Sequence, residues 1–356
     1  MSARHSRAGG HKLICLRCER WSAGLTAKTK MTKKRLTLCA VLLWCAAGVL
    51  SAAPAHAQAY PARVVKIIVP FPAGGTADVM PRIIAEWLSR KWGQSVIIEN
   101  HTGAGGNIGA EVVAKSEPDG YMLLASPPPP LVINQSLYPH LEFDPQQFVP
   151  IVVMARVPNA LVVNPDKIAA NNIKDFITYA QANPGKVTDA TQGNGTTSQL
   201  TSEMFQMIAH VKLQNVPYRG SAPALNDLVA GSVDCMFDNL GVSLQLVRAA
   251  RLKLLAVASP RRMASLPEVP TIAETLPGFE SVTWYAVVAP AHTPAAIAEK
   301  VNAGINEALR DSEVLKRLAE LSAEPVGGTT GETAAYLKQE SERWKNVIVA
   351  AHVTLD

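Results

Sequence analysis

From residue 64 onward, short apolar runs alternate with stretches of helical spacing, and this alternation constrains the fold more than any other feature. Residues 64–69 form an apolar run that ends at a Pro/Gly loop, the pattern of a buried strand. Val79, Ile83, Ala85, Trp87 and Leu88 then fall at helical spacing over residues 78–91. A strand at 95–99, a glycine-rich turn, a helix at 107–115, the Asp119-Gly120 turn and a strand at 121–125 complete a βαβαβ order. That order implies a parallel sheet with helices on both faces. The second section reads as strands at 148–154, 160–163, 188–191, 213–217, 233–237 and 254–258, with helices at 173–182, 199–209, 221–229 and 242–250 between them. An extended stretch at 281–288 and helices at 294–309, 312–321 and 332–350 follow. Two α/β halves without a long linker or a fixed-period repeat predict two lobes. A cleft between lobes is where a small ligand sits.

The first 57 residues belong to a different category. Residues 31–57 read as a complete secretory signal peptide. Lys33, Lys34 and Arg35 form the basic region, residues 36–50 the apolar region, and Ala55-His56-Ala57 the cleavage site. The apolar region is short for a membrane span. The expected start is therefore Met31, with cleavage after Ala57. Leu38 and Trp44 stand before Cys39 and Cys45, where a lipoprotein cysteine needs a small residue. Cys15-x-x-Cys18 lies in the extension ahead of Met31 and is read as accidental.

Cleavage changes the composition. Without the leader's ten basic residues and one acidic residue, 24 basic and 28 acidic residues remain, a net charge of −4. No basic stripe is left for a nucleic acid. Of five cysteines, Cys235 alone survives, in an apolar run, and is read as a buried structural thiol. The expected setting is the periplasm, with stability coming from the core and not from disulfides.

Three loops follow strand ends and open helices: PFPAGGTAD at 70–78, the PPPP segment at 126–131 and GNGTTS at 193–198. Free N–H groups at a helix N-terminus bind an anion without Lys or Arg. Gly74, Gly75, Gly193 and Gly195 allow close backbone approach, and Thr76, Thr196, Thr197 and Ser198 add hydroxyls. The same residues also suit ordinary turns and N-caps. Gly103-Ala104-Gly105-Gly106-Asn107-Ile108-Gly109 has the spacing G-x-G-x-x-x-G, which departs from the dinucleotide fingerprint. It is read as a tight β–α turn, and no cofactor is expected. The chain has neither G-x-S-x-G nor H-E-x-x-H, and its histidines are scattered without metal-ligand spacing. Asp234 and Asp238 flank a strand and offer acid–base or turn roles; Trp284 and Tyr285 offer ligand stacking or interlobe packing.

VPFPAGGTAD, ENHTGAGGNIGAE, EPDGYMLL, LYPHLEFDP, NPGKV, VPYRG, LPEVPTIAE and WYAVVAPAHTP occur in this order. Over residues 60–353 the chain resembles the Bug receptors, the periplasmic solute-binding proteins of tripartite tricarboxylate transporters. The resemblance implies an α/β, two-lobed type II periplasmic-binding-protein fold with a ligand cleft between the lobes. Residues 58–157 plus 285–356 would form lobe 1 and residues 158–284 lobe 2. It implies a monomeric receptor, not an enzyme, that captures a small carboxylate and passes it to membrane subunits. The alternatives are a sensor feeding a signalling system and an exported hydrolase using Asp234, Asp238 or Ser198. The resemblance places Phe71, Ala73, Gly74, Thr76 and Asp78 of the first loop at the ligand. Gly195, Thr196, Thr197 and Ser198 join them, with Tyr218 and Asp238 at the ligand's far end; Ser126 keeps a hydroxyl and an amide beside them. Asp238 disfavours a second ligand carboxylate and welcomes an amine, amide or hydroxyl, although Arg219 stands nearby. His101-Thr102, Ala286 and His292 depart from the family pattern, and the prolines at 127–130 depart most. Proline has no N–H, so this wall is expected to be apolar and stiff.

Overall fold

The structure is a computed structural model that describes residues 60–350 and Val353. The signal-peptide reading lies outside the described residues. The strands are β1 (Val65–Val69), β2 (Val96–Asn100), β3 (Met122–Ser126), β4 (Val149–Val163), β5 (Thr188–Thr191), β6 (Gln214–Pro217), β7 (Cys235–Asn239), β8 (Lys253–Val257), β9 (Val282–Ala289) and β10 (Glu324–Gly327). The α-helices are α1 (Thr76–Trp92), α2 (Asn107–Ala114), α3 (Ile173–Ala182), α4 (Thr197–Ala209), α5 (Ser221–Ala230), α6 (Leu240–Arg248), α7 (Ala295–Ala308), α8 (Ser312–Glu320) and α9 (Thr330–Ala350).

The strands run β2-β1-β3-β9-β4-β7-β5-β6, with β8 and β10 also pairing with β4. β1 is parallel to β2 and β3, as the βαβαβ order predicts. A second parallel trio, β6-β5-β7, forms the other half. Antiparallel β4 and β9 join the halves, so the sheet as a whole is mixed.

Two sequence expectations need correction. Residues 148–154 and 160–163 are not separate strands but parts of the 15-residue β4, about 50 Å long at 3.4 Å per residue. Pro158 lies inside this strand. Asn159 N–H bonds Ser281 O on one edge, so the N of Pro158 faces the other. There β10 pairing has stopped at Arg156 and β7 pairing begins at Asn159. The missing N–H therefore falls in a gap of the ladder. The second correction concerns helix starts: α1, α4, α6 and α9 begin at Thr76, Thr197, Leu240 and Thr330, each two residues before the expected start.

Local chemistry sets several boundaries. Asn172 and Asp311 cap α3 and α8 by accepting backbone N–H groups of the first turn. Gly93 ends α1 at φ 64°, a left-handed conformation that glycine adopts freely. Two large apolar clusters sit on the parallel halves, one around Ile67, Ile84 and Leu88, the other around Phe176, Phe205 and Phe237. Cys235 is fully buried, and burial pushes its thiol well above its ordinary pKa, so it stays protonated and inert.

Candidate binding cleft

Three helices begin at strand ends: α1 after β1, α4 after β5 and α5 after β6. Their first N–H groups have no partner within their own helix. The N-termini of α1 and α5 meet: a Cβ on Gly75 would lie 3.4 Å from Ser221 Cβ, and one on Gly220 would lie 2.8 Å from Pro72 Cδ. A cavity of about 250 Å³ opens beside them, lined by Phe71, the turn 103–106, Tyr138, Gln192 and residues 217–219. A water-sized recess of about 20 Å³ adjoins it through Phe71 and Gln192. Its walls are Gly75, Thr76 and Ala77 of α1, Ser221 of α5, Pro127 and Asn239. Two helix N-termini with hydroxyls on one recess have the donor chemistry to hold an anion.

A buried polar lattice lies behind the recess. Gln192 Nε2 donates to Asp238 Oδ1 at 2.8 Å, and Ser221 Oγ donates to the same oxygen at 2.6 Å. Asn239 Nδ2 donates to Asn159 Oδ1 at 2.7 Å, and Asn239 Oδ1 accepts from Tyr285 Oη at 3.2 Å. Asn159 Nδ2 reaches Ser281 Oγ at 2.8 Å. Asn159, Asn239 and Ser281 thus tie β4, β7 and the entry to β9 together under the cleft. Burial raises the Asp238 pKa, although hydrogen bonds from Ser221 and Gln192 oppose that shift. Its Oδ2 has no partner.

The sequence-nominated residues divide by position. Phe71, Thr76 and Tyr218 line the cavities. Thr197, Ser198 and Asp238 lie just behind. Thr197 Oγ1 accepts from Asn239 Nδ2 at 3.3 Å, and Ser198 Oγ donates to Phe237 O at 2.5 Å. Thr196 caps α4 by accepting from Gln199 N, and Gly195 N–H donates to Gln199 Oε1 at 2.7 Å. Ser126 Oγ turns back to Pro127 O. Ala73 and Gly74 are exposed, and a Cβ on Gly74 would lie 3.7 Å from Ala222 Cβ of α5. Asp78 is buried and fully engaged. It accepts from Gly74 N at 3.0 Å, Asn100 Nδ2 at 2.9 Å and Arg82 Nε at 2.9 and 3.0 Å. Burial alone would raise its pKa; the Arg82, Gly74 and Asn100 bonds outweigh that and hold it low. Tyr218 Oη donates to Asp227 Oδ2 at 2.6 Å, and burial, then Asp227, push its pKa up to about 12.

Other candidates resolve plainly. Trp284 and Tyr285 pack inside the molecule, at 0% and 1% exposure. Asp234 does not pair with Asp238. It holds Thr188 N and Oγ1 at 2.8 and 2.7 Å, four residues and about 13 Å of strand away. Of the four prolines, Pro127 touches the recess and Pro130 packs on Gly106. With no N–H from 127 to 130, the first donors, Leu131 and Val132, both reach Pro128 O, and Asn134 N bonds Pro129 O in a π-type turn. The GAGG turn carries positive φ at all four residues 103–106. A Cβ on Gly109 would meet His101 O at 2.7 Å, which explains this run without a cofactor.

Sequence reasoning missed Gln192, Ser221 and Asn239. Ser221 carried the one available signal, a hydroxyl opening a helix after Gly220. Gly241 is a further contact: a Cβ there would lie 2.5 Å from Thr76 Oγ1 and 2.8 Å from its Cγ2. Thr76 Oγ1 also accepts Val242 N–H at 3.3 Å. Gly241→Ala is expected to displace the start of α1 and weaken ligand binding tenfold or more. Melting should change little, because alanine favours the helix by about 1 kcal/mol. Calorimetric titration beside a melting curve checks this; unchanged affinity would show that the Thr76–Gly241 contact is irrelevant to the cleft.

A two-lobed α/β protein whose helix N-termini converge on an interlobe cleft is a solute-binding protein of the periplasmic type. The chain belongs to the tripartite tricarboxylate transporter receptor family, whose model matches residues 80–353. It is 38% identical over 300 residues to BugT of Bordetella pertussis, covering 83% of this chain and 92% of BugT. A Rhodopseudomonas palustris protein solved with adipate superposes with a TM-score of 0.81 at 37% identity, over 83% of this chain and 99% of that one. MatC of the same organism, solved with malate, gives 0.77 at 31% identity, over 81% and 100%. The family is one of solute-binding receptors, not of enzymes.

Proposed function

We propose that the protein is an exported receptor that closes on a small carboxylate in the periplasm and delivers it to the membrane subunits of a tripartite tricarboxylate transporter. The convergence of the α1 and α5 N-termini on the Thr76–Ser221 recess carries this reading. A carboxylate there meets backbone N–H groups and hydroxyls without a basic side chain. The lobes divide at the β4 and β9 crossings, residues 58–157 plus 285–356 against 158–284, and closure is a hinge motion about them. Adipate and malate in the two solved relatives support the ligand class.

Asp238 acts through Gln192. By accepting from Gln192 Nε2, it fixes the amide so that Oε1 is left to accept. The far end of the ligand then carries a donor such as a hydroxyl or amine, and Pro127 and Phe71 flank its apolar part. Thermal unfolding of residues 58–356 against mono-, di- and hydroxycarboxylates tests the proposal. A ligand at about 100 times its Kd adds roughly 2.7 kcal/mol, an upward shift of about 5 °C for a chain of this size. No shift from any carboxylate, in protein shown free of carried-over ligand, would remove the carboxylate assignment.

A further inference from the structure

Ser221 stands between the recess and a buried acid. It opens α5 and lines the recess, while Asp238, at 0% exposure on β7, bonds it from behind. A serine hydroxyl carries one proton and two lone pairs. The Ser221 proton is engaged with Asp238 Oδ1 at 2.6 Å. While Asp238 is ionised, Ser221 Oγ therefore has only lone pairs for the recess. A carboxylate entering there meets an acceptor where it needs a donor. It also meets a second negative charge. Two hydrogen bonds in series through Ser221 Oγ put the two carboxylates about 5 Å apart or less, where like charges disfavour joint ionisation.

Among the described residues no Lys, Arg or His forms an ion pair with Asp238. β4 sets Ala160 in register with it. β5 carries Asp189, which pairs in register with Cys235, three residues back along β7. Ser198 of α4 bonds Phe237 O, and Ser243 of α6 bonds Leu240 O. β9 contributes Tyr285, whose phenol is pushed well above its ordinary pKa by burial and then by Asp238 itself. Asp78 of α1 and Asp227 of α5 are held by Arg82 and Tyr218. Arg219 lines the adjoining cavity ahead of α5. Burial raises the Asp238 pKa, so this acid takes up a proton at a higher pH than an exposed carboxyl does.

We propose that ligand capture is proton-coupled: as a ligand carboxylate enters the recess, Asp238 Oδ1 takes one proton from solvent and donates it to Ser221 Oγ, and the Ser221 hydroxyl turns to donate to the ligand. The Ser221–Asp238 bond persists with its direction reversed, and Gln192 Nε2 still donates to a lone pair of Oδ1. The inference rests on the carboxylate reading of the recess and gives it a sign: affinity falls as pH rises. Below the pKa of Asp238 in the free protein the proton is already bound, and affinity is flat. Between the free and the liganded pKa affinity falls tenfold per pH unit, and above both it is flat again.

Calorimetric titration of adipate, malate and hexanoate at pH 6, 7, 8 and 9, each in two buffers of different ionisation enthalpy, counts the protons taken up. Uptake approaching one proton per ligand is expected, with affinity falling by up to tenfold per pH unit. Asp238→Asn should bind without uptake, at an affinity independent of pH and at least fivefold above wild type at pH 9, because an amide can donate to Ser221 permanently. Ser221→Ala should cost about fivefold at pH 6, the worth of a neutral hydrogen bond, and the gap to wild type should close toward pH 9. Asp189→Asn, which removes the other buried carboxyl of this half of the sheet, should leave the uptake in place. Circular dichroism establishes that each variant is folded; if Asp238→Asn is not, Ser221→Ala decides. Binding of the probes to wild type without proton uptake would overturn the inference and leave the carboxylate reading standing. No binding of any of the three, in protein shown free of carried-over ligand, would overturn both. Uptake kept in folded Asp238→Asn, or lost in Asp189→Asn, would place the proton on another group and overturn the inference as well.

Discussion

Asp78→Ala is expected to lower stability by about 2–3 kcal/mol and to reduce ligand affinity a hundredfold or more. The carboxylate is 4% exposed and its Arg82 partner 44% exposed. Removing one member of a buried ion pair costs about 3–5 kcal/mol, because the other is left uncompensated. Here Arg82 reaches water, and the exposed loop lets water replace the Gly74 bond, so the lower figure applies. Affinity suffers more than stability because of what the carboxylate holds. Its bond to Gly74 N–H closes the turn into α1, and Asn100 Nδ2 ties it to Phe71 O at 2.8 Å. Without it, Phe71, Gly75 and Thr76 lose their common anchor. The pKa of Asp78 is depressed, so its contribution is present above the unfolded pKa near 3.9 and is lost as pH falls through the lower folded value. Asp78→Ala should therefore differ most from wild type at neutral pH and converge with it in strong acid. Urea unfolding at pH 7 and pH 3, with ligand titration at pH 7, measures both effects. A folded Asp78→Ala protein that binds normally would show that the loop keeps its shape unaided.

The elements were legible in the sequence where burial is one-sided or complete over a continuous run. The βαβαβ unit follows from the 64–69, 95–99 and 121–125 runs with helical spacing between them. Helix starts were less visible, since the polar Thr76, Thr197 and Thr330 open their helices before the apolar period begins. β4 was hidden because a proline in a ladder gap reads locally like a proline at a strand end. The cleft was legible as far as loops that open helices show themselves through Gly and Thr. It was opaque where a partner comes from register. Gln192 finds Asp238 because Ala190 pairs with Met236 across β5 and β7, a relation that no local pattern carries. Asp78 shows the converse: the resemblance nominated it by its motif, and only the fold reveals that its oxygens bond Gly74 N–H, Arg82 and Asn100.

Asp189→Asn is expected to remove a pH dependence of stability between about pH 4 and pH 7. Asp189 lies in β5 at 0% exposure. Its Oδ1 receives the weak Cys235 thiol donor at 3.6 Å, and its Oδ2 has no partner. Burial, with a smaller contribution from Glu203, raises its pKa to about 7. The unfolded chain gives up this proton near pH 3.9, whereas the folded chain keeps it to about pH 7. Between those values the folded state binds more protons, so stability falls as pH rises and levels off above pH 7. Three pH units correspond to about 4 kcal/mol. An asparagine stays neutral throughout, but its second amide donor needs an acceptor in the same pocket, a cost of about 1–2 kcal/mol. The variant should thus be more stable than wild type by about 2 kcal/mol at pH 8 and no more stable at pH 5, so that the profiles cross or meet. Glu203 also has a raised pKa through burial, and Glu203→Gln in both backgrounds separates its share. Urea midpoints at pH 5, 6, 7 and 8 supply the comparison. Parallel profiles for wild type and Asp189→Asn would mean that Asp189 is ionised throughout that range, so that water or a mobile donor must reach the unpaired Oδ2.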